Sequence, residues 1–315
     1  MKKALVKLNE NQVEKSKNFF LDLSVIPGMA HGHNAKISIS EGTRDQRLIV
    51  GEQFNDWMAK NDLTLLAVTP EKINQFLNSE KWEPATKNAK RNHLIQLIKA
   101  QSDDIRFKLL VSENAKQIEK AKDLHKHITR DEYLTKGEIV KLISLTRKEK
   151  TRLIIEFLFQ TGCRISEMIN VTLKNVTLNG QAKISVIGKG SKHRHVYCKR
   201  ELIERIIDVF GSTDYLFCTV ARGQAGIKVK YNRVNIFRIL RLAGDKAGFT
   251  TKDLDTGKTV SRIHPHIFRH SFVMHLKEQG KSPKYIQSLT GHANIATLIE
   301  FYFHEMAGEE VTELF

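Results

Sequence analysis

The residues that could do chemistry lie in five short motifs in the second half of the chain. In the first, Thr161–Glu167, Arg164 stands just past a glycine that ends a helix, and Glu167 follows it three residues later. A carboxylate at that spacing can orient the guanidinium and still leave it free to fork onto two phosphate oxygens. The competing interpretation is an ordinary Arg–Glu pair on the surface.

The second motif is the glycine-rich stretch Gly188–Lys192, which lies between two short apolar segments. Its glycines permit a tight turn that can approach a ligand closely, and Lys189 would carry a mobile ammonium group at the tip. The glycine and lysine spacing of a P-loop is absent. Nucleotide binding and hydrolysis are therefore not expected.

The third motif, His264–Phe272, is the most informative. If a helix begins near Pro265, His266 and Arg269 lie three residues apart on one face and can reach the same anion. His266 and His270 are four residues apart, which is a zinc-ligand spacing, but the glutamate that follows the first histidine of metalloprotease motifs is replaced by isoleucine. We expect no metal site.

The last two motifs are Thr290–His292, with a histidine at a glycine break, and Tyr302–His304 near the end of the chain. A tyrosine between two phenylalanines is more often part of a core than catalytic. A phenol with a pKa of about 10 is only about one part in a thousand ionised at pH 7, so Tyr302 would need cationic neighbours and a proton acceptor to act as a nucleophile.

The elements that must position these motifs divide into two predicted domains. Helical periodicity after residue 43, with prolines opening helices at Pro70 and Pro84, predicts an all-helical domain over 1–115. A charged stretch poor in large apolar residues, 116–133, predicts a linker. The third helix carries a basic face that either contacts phosphates or is simply solvated: Lys87, Lys90 and Arg91.

The second predicted domain spans 134–315 and opens with a capping-box pattern, Thr135 with Glu138. Two short apolar runs, Ile184–Ile187 and His193–Cys198, flank the glycine-rich turn and predict a β-hairpin. Amphipathic segments predict further helices over Leu202–Phe210, Val234–Ala243, Phe268–Glu278 and Pro283–Leu289. The predicted fold class is therefore mainly α with a small β-sheet (α+β).

Composition narrows the classes of function. The 51 Lys and Arg against 35 Asp and Glu leave a formal net charge of +16, which favours nucleic acid as a partner. The sequence shows neither an apolar run long enough for a membrane span nor a secretion signal, so we expect a cytoplasmic, nucleoid-associated protein. Three cysteines cannot complete a disulfide framework, and Cys163 beside Arg164 is expected to make activity sensitive to thiol reagents.

Taken together, the motifs resemble the active site of the tyrosine recombinases, the phage-integrase family that includes the Xer, Cre and lambda-integrase enzymes. The resemblance is close from about residue 134 to the end of the chain and loose over the first domain. It rests on the motifs quoted above and on the order of six residues: Arg164, Lys189, His266, Arg269, His292 and Tyr302.

The resemblance implies a site-specific recombinase that cleaves DNA through a 3′-phosphotyrosine without metal, nucleotide or other cofactor. Arg164 and Arg269 would bind the non-bridging phosphate oxygens, and Lys189 would protonate the leaving 5′-oxygen. His266 would assist proton transfer, and His292 would donate to a phosphate oxygen. Glu167 would support the site from behind, and two basic hairpin residues would contact DNA: Lys192 and Arg194.

The resemblance also implies a C-shaped clamp in which a helical core-binding (SAM-like) domain and the catalytic domain enclose a double-stranded recombination site. A homotetramer on two duplexes would exchange strands through a Holliday junction. Two other functions stay open: a type IB topoisomerase and a catalytically inactive DNA-binding regulator. The nucleophile is predicted to be Tyr302, ten residues after His292, and the alternative is that Phe301 occupies that position.

Overall fold

The structure, a computed structural model, describes residues 41–64, 67–100, 117–121, 127–188, 192–221, 226–252 and 257–303. The chain divides into two compact units, Met1–Leu124 and His125–Phe315. Helices dominate and the sheets are small, which confirms the predicted class. Within the described residues, no helix is both long and apolar enough to cross a membrane.

The described part of the first unit contains three helices: α1 Glu41–Lys60, α2 Pro70–Asn78 and α3 Pro84–Ala100. The start of α2 follows from its sequence, because the Thr69 side chain accepts a hydrogen bond from the Lys72 backbone N–H and proline occupies the first turn. The core is apolar and partly aromatic. Phe54 and Phe76 meet edge to face with ring centroids 5.0 Å apart.

The two described parts of the predicted linker are packed. Ile118 is buried in the core of the first unit, and the Asn88 side chain pairs with the Ala121 backbone N–H and C=O at 2.9 Å each. In the second unit, the Ile128 backbone N–H donates to the Phe301 carbonyl at 3.1 Å. The division between the units falls inside 116–133, and the predicted domain boundaries stay a prediction.

The described residues of the second unit form helices and three small antiparallel sheets. Its helices are α4 Lys136–Leu145, α5 Glu149–Thr161, α6 Ile165–Met168, α7 Arg200–Phe210, α8 Arg233–Lys246, α9 Pro265–Glu278, α10 Pro283–Thr290 and α11 Ile295–Tyr302. Its strands are β1 Val176–Asn179, β2 Gln181–Ile187, β3 His193–Cys198, β4 Cys218–Val220, β5 Lys228–Lys230, β6 Thr250–Lys252 and β7 Thr259–Ser261. Short 3₁₀ turns occupy Arg130–Glu132 and Leu173–Asn175.

Local signals placed several of these elements correctly. The Thr135–Glu138 capping box starts α4, and Gly162, with φ of 59°, ends α5. The predicted hairpin is β2–β3, with Ala182 opposite Cys198 and Ile187 opposite His193. Strand β1 and the pairs β4–β5 and β6–β7 were not predicted, because three or four residues are too few to show an alternating pattern.

Two apolar clusters hold the second unit together. The larger surrounds α5, where Phe157 and Phe217 meet edge to face at 4.9 Å. The smaller joins α9, α10 and α11 through buried residues that include Val273, Ile286 and Leu298. Because Tyr302 belongs to this smaller cluster, the packing of α11 on α9 sets where its hydroxyl lies.

Candidate active site

Arg164 and Glu167 are oriented by the break between α5 and α6. The chain reverses at Gly162, and Arg164 occupies the position just before α6. The carboxylate of Glu167 accepts from the Arg164 backbone N–H at 2.8 Å and from its guanidinium Nη1 at 3.1 Å. The Arg164 side chain keeps 28% of its surface exposed, whereas Glu167 keeps 2%. The arginine can therefore bind an incoming anion while the glutamate holds it.

The Arg194 side chain is mostly buried, and its predicted contact with DNA stays a prediction. The side chain is 9% exposed, and its guanidinium forms a bidentate pair with Glu167, with Nη1–Oε1 at 2.6 Å and Nη2–Oε2 at 2.7 Å. Its Nε donates to the Leu289 carbonyl at 2.8 Å. Arg194 therefore joins the hairpin to Glu167 and to the last turn of α10.

The ion pair with Arg194 keeps Glu167 deprotonated. Burial alone would raise the pKa of this carboxyl. The hydrogen bonds and positive charges from Arg194 and Arg164 outweigh burial, so the pKa of Glu167 lies below its usual value. The carboxylate is charged at neutral pH and anchors both guanidinium groups.

Arg269 is buried by the packing of α9 and is 4% exposed. Its Nη1 donates to the Gly162 carbonyl at 2.9 Å, and its Nη2 donates to the Thr290 carbonyl at 2.6 Å and lies 3.4 Å from His292 Nε2. Burial, followed by repulsion from Arg164 and Arg194, lowers the pKa of Arg269 to about 10. The guanidinium is thus charged and held by the ends of α5 and α10.

The hydrogen bonds of His292 indicate its tautomer. Thr290 Oγ1 lies 2.7 Å from the Ile286 carbonyl, to which it donates, and 2.8 Å from His292 Nδ1. Because a hydroxyl has one hydrogen, Nδ1 must carry the ring proton and Nε2 must be the acceptor that faces Arg269. Burial and the nearby arginines lower the pKa of His292 to about 3, so the ring is neutral at pH 7.

His266 is exposed in the otherwise buried first turn of α9, three residues before Arg269 as predicted. Partial desolvation and the charges of Arg269, Arg233 and Arg164 lower the pKa of His266. Lys189 lies outside the described residues. The base of its turn approaches the ion pair, since a Cβ at Gly188 would lie 3.3 Å from Glu167 Oε1. The predicted close approach of this turn to a ligand stays a prediction.

Tyr302 is 3% exposed at the end of α11, and its hydroxyl lies 2.5 Å from His270 Nδ1. Burial raises the pKa of Tyr302, so the phenol is protonated at neutral pH. The ring centroid of Tyr302 is 6.2 Å from that of His292, and Phe301 lies beside His270 at 5.8 Å. In the sequence, His270 stands out only by its spacing from His266, and no local signal indicates this contact. The part of the chain that the structure describes contains no group of three or more potential metal-ligating side chains.

The basic residues predicted on the first unit have partners within that unit. Lys87 donates to Asn78, and Lys90 donates to Gln53 while its Nζ lies 4.4 Å from the Trp82 ring centroid. Arg91 Nε donates to the Ile118 carbonyl at 2.8 Å. These contacts give the three residues roles in packing, and their contacts with DNA stay a prediction. Lys192 on the hairpin is exposed.

Alkylating the native protein with iodoacetamide is expected to leave its activity on DNA unchanged, contrary to the prediction from sequence. Cys163 is 1% exposed, and burial raises the pKa of its thiol to about 11, so only ~1 thiol in 10,000 is ionised at pH 7. Cys198 and Cys218 are also buried. Intact mass and DNA cleavage before and after treatment test this, and cleavage lost in step with Cys163 modification would contradict it.

Comparisons with known proteins place the chain in a family. The sequence model of the phage integrase family matches residues 132–309. Tyrosine recombinase XerC of Staphylococcus epidermidis is 34% identical over 160 residues, which cover 47% of each chain, so the match spans about half the length of that relative. A tyrosine recombinase of Pseudothermotoga lettingae is 24% identical over 82% of this chain and 86% of its own.

Solved structures share the fold. The recombinase XerH bound to palindromic difH substrate superposes with a TM-score of 0.64 at 22% identity, covering 85% of this chain and 78% of that one. A lambda integrase tetramer bound to a Holliday junction gives a TM-score of 0.58 at 16% identity, covering 82% and 73%. The family match covers more than half of the chain and includes every motif from Thr161 to Tyr302. This chain therefore belongs to the phage integrase family of tyrosine recombinases.

Proposed function

We propose that the protein is a site-specific DNA recombinase that cleaves and rejoins DNA through a 3′-phosphotyrosyl intermediate. The observation that carries this proposal is that the Tyr302 phenol lies in the same site as the arginines that can bind an anion. Arg269 contacts His292, His292 lies beside Tyr302, and Arg164 is held by the same carboxylate that pairs with Arg194. Membership of the phage integrase family supports the same activity.

In the proposed reaction, Tyr302 Oη attacks the phosphorus of a DNA phosphodiester. The O–H bond of Tyr302 breaks and its proton passes to a basic side chain of the site as a bond forms between Oη and phosphorus. The bond from phosphorus to O5′ breaks, and O5′ leaves as a hydroxyl with a proton from Lys189. Arg164 and Arg269 bind the non-bridging oxygens and stabilise the charge of the five-coordinate transition state. Preorganised groups of this kind contribute roughly 3–4 kcal/mol each.

Two histidines assist the reaction: His266 assists proton transfer, and His292 donates a hydrogen bond to a phosphate oxygen. His292 Nε2 now accepts from Arg269, so it can donate to a phosphate oxygen only after the ring proton moves from Nδ1 to Nε2. Thr290 Oγ1 allows this move, because its hydrogen can turn from the Ile286 carbonyl to Nδ1. Since the phosphotyrosyl bond conserves the energy of the broken bond, a 5′-hydroxyl of another strand can reverse the step without a nucleotide.

We also propose that the active assembly is a homotetramer that joins two DNA duplexes and exchanges strands through a Holliday junction. Support comes from the shared fold with lambda integrase, whose tetramer is bound to a Holliday junction, and with XerH bound to its difH substrate. The formal net charge of +16 fits a DNA partner. The enclosure of the duplex by the two domains stays a prediction.

Covalent capture tests the proposal. The protein is incubated in EDTA with sheared DNA from its source genome and denatured with detergent, and the protein-linked fragments are recovered and sequenced. Fragments that converge on one short, roughly palindromic site are the expected result. Adducts scattered over all DNA would instead indicate a type IB topoisomerase, and sequence-specific binding without any adduct would indicate an inactive regulator.

A further inference from the structure

The contact between His270 and Tyr302 has no role in the cleavage reaction proposed above. His270 follows Arg269 on α9, and its Nδ1 lies 2.5 Å from the Tyr302 hydroxyl. The phenol is buried, and the Phe301 ring lies 5.8 Å from the imidazole ring. The Tyr302 hydroxyl, which would attack phosphorus, is therefore hydrogen-bonded to a titratable side chain, His270.

The direction of this hydrogen bond follows from the surroundings of both groups. Burial raises the pKa of Tyr302, so its hydroxyl keeps its hydrogen and donates it. Burial, and repulsion from His266, lower the pKa of His270 to about 4, so the imidazole is neutral and accepts at Nδ1. The other charged or titratable groups that act on His270 are His264 and Arg269 from its own segment and Glu132 from the 3₁₀ turn.

We propose that His270 accepts the phenolic proton of Tyr302 when the oxygen attacks phosphorus; this inference rests on the proposed recombinase function. The O–H bond of Tyr302 breaks as the bond from Oη to phosphorus forms, and the proton moves to Nδ1 to give an imidazolium. O5′ leaves with a proton from another donor, which loses one positive charge as His270 gains one, so the total charge of the site is unchanged. On rejoining, the imidazolium returns the proton to the phenol oxygen.

The arrival of DNA makes His270 a better base than it is in the free protein. In the free site the positive charge of Arg269 is one of the causes, after burial and His266, that lower the pKa of His270 and so disfavour an imidazolium. A phosphodiester bound by Arg164 and Arg269 brings negative charge next to both guanidinium groups and offsets that repulsion. The basicity of Nδ1 therefore rises when the substrate is in place, which couples deprotonation of the nucleophile to DNA binding.

The experiment compares His270→Asn with a matched control on the same helix. Asparagine places an amide oxygen near the position of Nδ1, so it can accept the hydrogen bond but cannot take the proton. The control is His275→Asn, because His275 lies one turn and a half further along α9 near Glu278 and Gln279. Single-turnover adduct formation is measured from about pH 6 to about pH 9 on a duplex carrying the captured site, together with DNA binding and thermal melting.

We expect His270→Asn to melt and bind DNA like the wild type and to form adducts ~10²–10⁴-fold more slowly at pH 7. Its rate should rise with pH, because hydroxide must then remove the proton, whereas the wild-type rate should stay flat over this range. A slower rate with a flat, parallel pH profile, or a rate within about threefold of wild type, would overturn the proposal. Absence of adducts in the wild type would instead refute the recombinase function on which it rests.

Discussion

Replacing Tyr302 by phenylalanine is expected to abolish covalent protein–DNA adducts while DNA binding persists. The substitution removes the hydroxyl and keeps the ring that packs in the cluster of α9, α10 and α11. His270 Nδ1 loses its partner, which costs about 1–3 kcal/mol for a buried polar group, so the variant should still fold. Denaturing gels of protein incubated with the captured site measure the adducts, and gel shifts measure binding.

The control for this prediction is Tyr285→Phe, since Tyr285 is 48% exposed on α10 and should be dispensable. A third variant addresses the adjacent position, where Phe301 has no hydroxyl and lies beside His270. If Phe301 occupied the nucleophile position, the unmodified protein would form no adducts and Phe301→Tyr would create them. Adducts that survive Tyr302→Phe would also refute the assignment.

Replacing Arg194 by methionine is expected to destabilise the second unit and abolish cleavage. The change leaves the Glu167 carboxylate, 2% exposed, with Arg164 as its remaining charged partner among the residues that the structure describes. Removing one partner of a buried pair costs about 3–5 kcal/mol. The hairpin also loses its link to the Leu289 carbonyl and hence to the loop that carries His292. Urea denaturation of the full chain measures the loss of stability.

A matched control shows whether the loss of stability depends on burial of the ion pair or only on removal of a positive charge. Arg200 and Glu204 form a pair at 2.7 Å with about half of each side chain exposed, so Arg200→Met should change the stability much less than Arg194→Met does. Equal effects of the two substitutions would contradict the role assigned to Arg194. So would a stable Arg194→Met variant that cleaves DNA at the wild-type rate.

The destabilisation by Arg194→Met should also depend on pH. Because the folded-state pKa of Glu167 lies below its unfolded value, its ion pair stabilises the protein fully above about pH 4.3 and is lost as the pH falls through the folded-state pKa. The difference in stability between the wild type and the variant should therefore be largest near neutral pH and shrink in acid. A difference that grows in acid would show that Glu167 is not the group involved.

The sequence by itself determined the family, the fold class and the local elements of the site. Helix caps such as Thr135 with Glu138, the glycine that ends α5 and the hairpin around the glycine-rich turn were all readable, because each depends on residues within a few positions of one another. The order of the arginine and histidine motifs was enough to indicate a tyrosine recombinase, and the family match agrees.

Only the tertiary structure decided which side chains of the site contact one another. Arg194 lies 27 residues from Glu167 and 95 from Leu289, and His270 lies 32 residues from Tyr302, so no local pattern connects them. The sequence therefore showed no sign that Arg194 pairs with Glu167, and it indicated a reactive thiol at Cys163, which is buried. Adjacent residues of a helix point about 100° apart, so spacing alone could not choose between Phe301 and Tyr302. The packing of α11 on α9 places the Tyr302 hydroxyl on His270, and that contact exists only in the folded chain.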